Sequence, residues 1–346
     1  MSFQRLALGL LSLGFLSLGL TACGAGSAGP GEGDPPAFSE SSSGSLPPFM
    51  NLVERSKDNT AFRGTRRVRV VRDQNVMEVL EDVGANGSGA FAVELLDSVS
   101  LLPDTDPLSF PLVHENAARF HWQMRDFRVW SLQRACGSYS INVLSAPQPV
   151  AGIQCERVEF VRFVSLGERP GHFEADIDPT TGFVLAWREF DGSQQPIIES
   201  VFETFTYGGD TSDLNLRERS FPAQVLDLNS GLAAQVGAEV FVPDVFPPGY
   251  ELYGGELLTI PSQPSLTNSS ILQPGPWVRL IATDGLQTIS FAHSAQQTIA
   301  SATPGDLRVT SLGDWEVGFG EFGGVRFVVA GRVKVTGLAS VVQSAF

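Results

Sequence analysis

The chain is poor in the residues on which most catalytic and metal sites depend. It has only four histidines and three cysteines among 346 residues, and they are scattered along the sequence. No G-x-S-x-G nucleophile elbow, H-E-x-x-H zinc motif or phosphate-binding loop is present. His172, Glu174 and Asp176 alternate along one predicted strand and could ligate a metal, but no further ligands accompany them, so we interpret them as a polar strand face. These deficits predict a binding protein, neither an enzyme nor dependent on a cofactor.

Basic residues are also scarce, and lysine is almost absent. Lys57 and Lys334 are the only lysines of the sequence, and Lys and Arg together number 23 against 38 Asp and Glu. The formal net charge is therefore −15. An acidic chain is repelled by a phosphate backbone and is kept soluble by its charge. The composition thus argues against a nucleic acid as the partner.

The apolar segment near the start of the chain is too short to cross a membrane comfortably. It runs from Leu6 to Leu20, whereas a spanning helix needs about 20 residues. A basic start, a short apolar segment and small residues predict a secretion signal over residues 1–22. The closing L-T-A-C resembles the lipobox of bacterial lipoproteins, which implies that Cys23 carries the lipid. An ordinary signal peptide with an incidental cysteine is the alternative.

The lipobox predicts the location of the protein. Lipidation at Cys23 would anchor the chain on the periplasmic side of a membrane in the cell envelope. Gly24, which follows the cysteine in the sequence, slightly favours the outer membrane.

Cysteine pairing follows from the same prediction. If Cys23 is lipidated, Cys136 and Cys155 are the pair that remains in an oxidising compartment. A disulfide closing this loop would stabilise the fold by roughly 3 kcal/mol. Two separately buried free thiols are the alternative.

Composition and turn signals divide the rest of the chain. Residues 23–47 are rich in Gly, Ser and Pro and predict a flexible, lipidated tether. A run of strands separated by Asp, Pro and Gly turns predicts a first domain over residues 48–208. The pattern weakens over residues 209–236, which we interpret as a linker. It restarts in a second domain over residues 237–346.

An arginine strip lies on the first predicted strand of this domain. Arg63, Arg67 and Arg69 fall on one face, and the apolar residues fall on the other, where Arg66 interrupts them. We predict that the strip binds an acidic partner or lipid phosphates. The alternative is a solvated face whose arginines pair across the hairpin with Glu78, Glu81 or Asp82.

Several motifs together resemble the RseB/MucB family of periplasmic regulators of envelope-stress sigma factors. In the first domain they are A-F-R-G-T (61–65), P-V-A-G-I-Q-C-E-R-V-E-F-V-R (149–162), G-H-F-E-A-D-I-D-P-T-T-G-F-V-L-A-W-R-E-F-D-G (171–192) and I-I-E-S-V-F-E-T-F-T-Y (197–207). In the second they are P-P-G-Y-E-L (247–252), A-T-D-G-L-Q-T-I-S-F (282–291) and V-V-A-G-R-V-K-V-T-G-L-A-S-V-V-Q-S (328–344).

The resemblance implies an α+β fold. Its first domain would be a curled antiparallel sheet, a half-barrel similar to that of the LolA and LppX lipoprotein carriers, covered by helices. A smaller α+β domain would follow. The resemblance also implies a membrane partner similar to an anti-sigma factor, bound to regulate envelope-stress signalling.

A curled sheet of this kind can enclose an apolar cavity for an acyl lipid. The residues that we predict to line it are Phe173, Ile177, Phe183, Leu185 and Trp187. The alternative is that these side chains only pack against the covering helices. Three functions therefore remain open: a regulator of RseB/MucB type, a LolA/LppX-like carrier of lipids or lipoproteins, and a structural or interaction lipoprotein without a ligand.

Overall fold

The structure is a computed structural model that describes most of the chain after residue 45. The described residues are 46–72, 74–103, 126–163, 171–216, 222–260, 274–295, 307–312, 315–332 and 335–346. The helices in these ranges are α1 (Met50–Asn59), α2 (Leu132–Ser138), α3 (Leu232–Val236) and α4 (Val335–Ala345). Within the described ranges, no helix combines the length and the apolar character that a membrane crossing requires.

Eight strands form the first sheet, and every neighbouring pair is antiparallel. They are β1 (Ala61–Arg72), β2 (Asn75–Asn86), β3 (Phe91–Ser100), β4 (Tyr139–Val150), β5 (Ile153–Arg162), β6 (His172–Ile177), β7 (Val184–Phe190) and β8 (Pro196–Tyr207). Their order across the sheet is β3-β2-β1-β8-β7-β6-β5-β4. The first strand, β1, thus lies in the interior of the sheet, and β3 and β4 are the two edge strands.

Seven strands form the second sheet, which is also antiparallel throughout. They are β9 (Ala223–Leu226), β10 (Glu251–Ile260), β11 (Gly275–Thr283), β12 (Thr288–Ser294), β13 (Arg308–Leu312), β14 (Trp315–Phe322) and β15 (Val325–Gly331). Their order is β13-β14-β15-β12-β11-β10-β9. Both β9 and α3 lie within the range that we predicted as a linker. Antiparallel sheets with a few helices fit the predicted α+β class, while the half-barrel shape of the first sheet stays a prediction.

Helix α1 covers the apolar face of the first sheet. Two prolines precede it, and the carbonyl of Pro47 accepts a hydrogen bond from the Met50 N–H at 3.0 Å. The fixed φ of proline suits a helix start. Met50, Val53 and Ser56 are buried at a spacing of three residues, so one side of the helix faces the sheet. Lys57 follows Val53 by four residues and lies on this same side.

Strand β1 alternates as the sequence predicts. Phe62, Gly64, Arg66 and Val70 are buried, while the residues between them are partly exposed. Gly64 is required at its position, because a Cβ atom there would lie 2.2 Å from the Thr204 carbonyl oxygen of β8. The strand therefore brings Arg66, a charged residue, into an apolar face.

The second sheet packs its apolar face against α4 and the chain that precedes β10. The residues shared by this core include Val278, Ile289, Phe291, Val329 and Leu338, all 1% exposed or less. Members of this core alternate along β11, β12 and β15, but most other residues of β11 and β12 are buried as well. Each sheet thus has its own core.

Candidate functional site

Four ionisable side chains meet beneath the apolar face of the first sheet. We call Lys57, Arg66, Glu81 and Asp126 the charged cluster. Arg66 donates through Nε to Glu81 Oε2 at 2.5 Å and through Nη1 to Asp126 Oδ2 at 2.7 Å. The Lys57 Nζ lies 3.6 Å from the same Asp126 oxygen. These four side chains are 2–10% exposed, so the cluster is nearly sealed from water.

Burial affects the two cations of the cluster differently. It disfavours the Lys57 ammonium and lowers its pKa from 10.5 to about 7, even though Asp126 lies nearby. Burial also opposes the charge of Arg66, but Asp126 and Glu81 outweigh it, so the pKa of Arg66 rises above its ordinary value. The guanidinium is therefore charged at any physiological pH, whereas the amine loses its proton near neutrality.

A small cavity lies between the charged cluster and the aromatic core of the sheet. Its volume is about 30 Å³, and its apolar wall includes Phe127, Phe183, Leu185, Trp187 and Phe202. One water molecule in the liquid occupies roughly 30 Å³, whereas ligand pockets occupy roughly 300 Å³ or more. Among the described residues, this cavity has room for water and none for an acyl chain.

The residues predicted to line an apolar cavity are all buried. Phe173, Ile177, Phe183, Leu185 and Trp187 are between 0 and 6% exposed. The last three line the small cavity, whereas Phe173 and Ile177 do not. Two of the five also contact Phe127: its ring centroid lies 5.8 Å from that of Phe173 and 6.2 Å from that of Trp187. Their side chains fill the space between the sheet and its cover, and lipid binding stays a prediction.

Arg63 and Arg67 of the predicted partner-binding strip are engaged within the chain. Arg63 Nη2 lies 2.8 Å from Asp82 Oδ2 of β2, and its Nη1 lies 2.6 Å from Asp213 Oδ1. Arg67 bridges Glu78 of β2 and Glu203 of β8, at 2.5 and 2.6 Å. Pairing across the hairpin, the alternative that the sequence left open, therefore occurs.

The third arginine of the strip differs from the first two. Arg69 is partly exposed and makes no ion pair within the described residues. Its role in binding a partner stays a prediction, as it does for Arg63 and Arg67.

Arginine–carboxylate pairs continue across the polar face of the sheet. Arg188 of β7 binds Glu199 of β8 at 2.8 Å and Asp176 of β6 at 3.1 Å. Arg157 of β5 binds the same Asp176 at 2.7 Å. We call this series of pairs, from Glu78 and Asp82 on β2 to Arg157 on β5, the polar-face ladder. It brings carboxylates and arginines on neighbouring strands into contact.

The strand that carries His172, Glu174 and Asp176 uses them in this ladder and in packing. Asp176 is held by two arginines, and the His172 ring stacks on Phe190 with centroids 4.3 Å apart. Within the described ranges, no group of three or more His, Cys, Asp or Glu side chains is placed to hold a metal. The face is polar as predicted, but Asp176 is only 1% exposed and so is not solvated.

The predicted disulfide between Cys136 and Cys155 is wrong. Cys155 is a free, buried thiol 1% exposed, and burial raises its pKa to about 12. In the β4–β5 ladder, Cys155 lies opposite Gln148, whereas Cys136 belongs to α2, which precedes the opposite end of β4. Seven residues of strand separate these ends, roughly 23 Å, while a disulfide needs Cα atoms within ~7 Å. Cys23, the predicted lipidation site, lies outside the described residues.

A polar contact joins the two sheets. We call Tyr139, Arg162, Asp284 and Gly285 the junction. Asp284 lies in the turn between β11 and β12 and is fully buried; it accepts a hydrogen bond from Tyr139 Oη at 2.8 Å. An Arg162 nitrogen lies 3.6 Å from the same Asp284 oxygen. Burial raises the pKa values of both Asp284 and Tyr139. The turn of the second sheet is thus fixed against the end of the β4–β5 hairpin.

Backbone contacts tighten the junction. The Trp130 N–H donates to the Gly285 carbonyl at 2.8 Å. Gly285 has a φ of +106°, and a Cβ atom there would lie 2.2 Å from the Ala135 nitrogen of α2. Only glycine permits both this conformation and this approach.

Several of these residues were not singled out from the sequence. Lys57 meets Asp126, and Arg162 meets Asp284, only through tertiary contacts. One signal was present: Arg66 interrupts an apolar face, and a buried arginine requires carboxylate partners.

Comparisons with known proteins find similar solved structures, but no matching family model or curated protein sequence. Similar solved structures include MucB in complex with MucA(peri), at 15% identity and a TM-score of 0.44, covering 86% of this chain and 96% of MucB. The Pseudomonas aeruginosa MucA/MucB complex is similar at 14% identity, a TM-score of 0.43 and coverages of 86% and 96%. MucB alone is similar at 15% identity, a TM-score of 0.44 and coverages of 86% and 95%. Each of these structures contains MucB, a protein of the family that the sequence motifs resemble.

Proposed function

We propose that the chain is a periplasmic lipoprotein of RseB/MucB type, anchored to a membrane through Cys23. In this proposal it binds a membrane protein similar to an anti-sigma factor and so regulates envelope-stress signalling. The class of partner follows from the resemblance of the sequence motifs.

The junction between the sheets is the observation that favours a regulator over a carrier. A LolA/LppX-like carrier needs a single sheet with an open cavity, and a second domain adds nothing to that task. Here the second sheet is fixed to the first through buried Asp284, Tyr139 and Gly285. A rigid pair of sheets offers an extended surface that a protein partner can contact.

The size of the described cavity supports the same choice. At about 30 Å³ it is an order of magnitude below the volume of ordinary ligand pockets. Trp187 and Phe183, which a carrier would expose to its cargo, are 6 and 3% exposed. These two side chains pack in the core of the first sheet.

The decisive experiment isolates the lipidated chain from membranes and measures protein and lipid capture together. Cross-linking in intact envelopes followed by mass spectrometry should identify one stoichiometric membrane protein, and extraction should release little acyl lipid beyond the anchor. Stoichiometric non-covalent lipid with no protein partner would favour the carrier instead. If neither is captured, a structural lipoprotein without a ligand is the remaining function.

Two variants sharpen this experiment. Cys23→Ser should remove acyl labelling and leave an unprocessed precursor, since the thiol is the predicted attachment site. Trp187→Glu places a charge in an apolar site, which costs several kcal/mol, and it should abolish lipid capture if a carrier cavity exists. Circular dichroism of the Trp187→Glu variant must show a folded chain for this result to count.

A further inference from the structure

Strand β3 lies at one edge of the first sheet. Its first three residues, Phe91–Val93, are buried, and residues 94–100 are partly or largely exposed. In the part of the chain that the structure describes, no strand pairs with its outer side. Among the described strands its outward N–H and C=O groups thus have no partner, and an added strand is the mode by which many domains bind extended peptides at such an edge.

Two bulges bring aliphatic side chains to this edge. The β2–β3 ladder passes from Leu95 to Asp97 and from Ser98 to Ser100, so Leu96 and Val99 have no partner on β2. These two side chains are 52% and 56% exposed. Proteins commonly protect an edge by placing charged residues or bulges there. Here the bulged residues are themselves apolar, which favours contact with another chain.

Acidic side chains accompany the aliphatic ones. Glu94 lies opposite Asp82 and Asp97 lies opposite Leu80, so neither has a cation as its cross-strand neighbour. Both are exposed, and neither forms an ion pair within the described residues. The Asp82 carboxylate is already bound by Arg63.

Acidic and basic strands alternate along the polar-face ladder, and this alternation stops at β3. From β2 to β5, each contact of the ladder joins carboxylates on one strand to arginines on the next. At the edge, acidic β3 follows acidic β2, and among the described residues no arginine lies beyond it. A basic strand beside β3 would restore the alternation, because opposite charges across neighbouring strands are stabilising and like charges are not.

We infer that the outer edge of β3 binds an extended, basic segment of a protein partner, which adds to the first sheet as a strand. Its Arg or Lys side chains lie against Glu94 and Asp97, and its apolar residues contact Leu96 and Val99. This inference rests on the proposed function, since it locates the surface that binds the partner. A second copy of the chain is disfavoured as the occupant, because two β3 edges would bring like charges together.

A peptide-binding experiment on the full chain tests the inference. The probe is a short fluorescent peptide of alternating valine and arginine, and a valine–glutamate peptide serves as its opposite. The valine–arginine peptide should bind, with an affinity that falls as salt is added. The double variant Glu94→Gln with Asp97→Asn should bind it about tenfold more weakly, because two exposed ion pairs are lost.

A matched variant separates the edge from the general acidity of the chain. Glu239→Gln with Asp244→Asn removes two exposed carboxylates far along the sequence, and it should bind the peptide as the unmodified chain does. Leu96→Ser should weaken binding without changing its salt dependence. Equal losses in the two double variants, or no binding by the unmodified chain, would overturn the inference. So would self-association of the unmodified chain that Leu96→Ser abolishes.

The inference and the proposed function can fail separately. Envelope cross-linking with the unmodified chain tests whether any membrane protein is bound. If a partner is captured equally by the unmodified chain and by the Glu94→Gln, Asp97→Asn variant, the regulator remains and the edge is excluded. If no partner is captured, the proposed function fails whatever the peptide does.

Discussion

The two sheets of this protein bury ionisable side chains in opposite ways. The first sheet holds the charged cluster, with Arg66 bound to Glu81 and Asp126 beneath its apolar face. The second sheet buries His293, which is 0% exposed and whose pKa is lowered by that burial. Its Nε2 accepts from the Phe241 N–H at 3.2 Å, so its Nδ1 is the donor to the Ser294 carbonyl at 3.2 Å. One core balances buried charges against each other, and the other contains a neutral ring.

The two cores respond to pH in the same direction but in different windows, because burial lowers the pKa of an ionisable group in each. Burial lowers the pKa of His293 from 6.5 to about 4, so the unfolded chain binds the extra proton between these values. Stability from the second core is thus complete above pH 6.5 and is lost as the pH falls towards 4. Lys57 has its pKa lowered from 10.5 to about 7, so the first core gains stability as the pH rises through that alkaline range.

The largest expected effect comes from breaking the charged cluster. Arg66→Met should reduce the free energy of unfolding by about 3–5 kcal/mol, because it leaves Glu81 and Asp126 buried without their guanidinium. Urea unfolding checks this. Arg69→Met, on the same strand but without an ion pair in the described part of the chain, should change stability by no more than about 0.5 kcal/mol. Similar losses in both variants would show that the cluster is not stabilised as described.

The junction between the sheets comes next. Gly285→Ala should cost about 3 kcal/mol, because it combines an unfavourable positive φ with a close approach to Ala135. Gly89→Ala is the matched control: Gly89 also has a positive φ, +94°, but nothing lies within 4 Å of an added Cβ. It should cost about 1 kcal/mol. Equal losses would mean that contact between the sheets contributes little.

The histidine of the second core gives a smaller, pH-dependent effect. Between pH 7 and pH 5, the free energy of unfolding should fall by about 2 kcal/mol through His293 alone. The variant His293→Gln, which cannot titrate, should be less stable at pH 7 and lose about one proton from its pH dependence. Urea titrations at several pH values measure this. An unchanged slope in the variant would contradict a buried neutral His293.

The smallest effect is expected on the polar face. Arg67→Gln removes two exposed ion pairs, with Glu78 and Glu203, and should destabilise less than any change above. The loss should disappear at high salt, because the pairs are open to screening. Unfolding at low and high ionic strength provides the measurement. A loss that persists in high salt would show that these pairs are more deeply buried than their exposure indicates.

Local patterns predicted much of the first sheet correctly. The alternation of β1 placed Phe62 and Arg66 on one face and Arg63 and Arg67 on the other, and both faces are observed. Pairing of these arginines with β2 carboxylates was among the alternatives, since a hairpin fixes which residues can meet. The disulfide was wrong because sequence separation does not tell at which end of a hairpin each cysteine lies. The sequence predicted which apolar side chains of the first sheet could line a cavity. It could not predict whether they are accessible to a ligand, because that depends on what packs against them.

By itself, the sequence determined most strands of the first sheet, though not β3, and the position of Arg66 on the apolar face of β1. These follow from short-range alternation and turn chemistry, which neighbouring residues settle. Only the tertiary structure decided that Asp126 and Lys57 complete the cluster, that Asp284 reaches Tyr139, and that acidic β3 lies at the edge of the sheet. Each of these joins residues far apart in the chain or depends on the order of strands. These groups are buried only once the whole chain has packed, and it is burial that shifts a pKa or makes an unpaired charge costly.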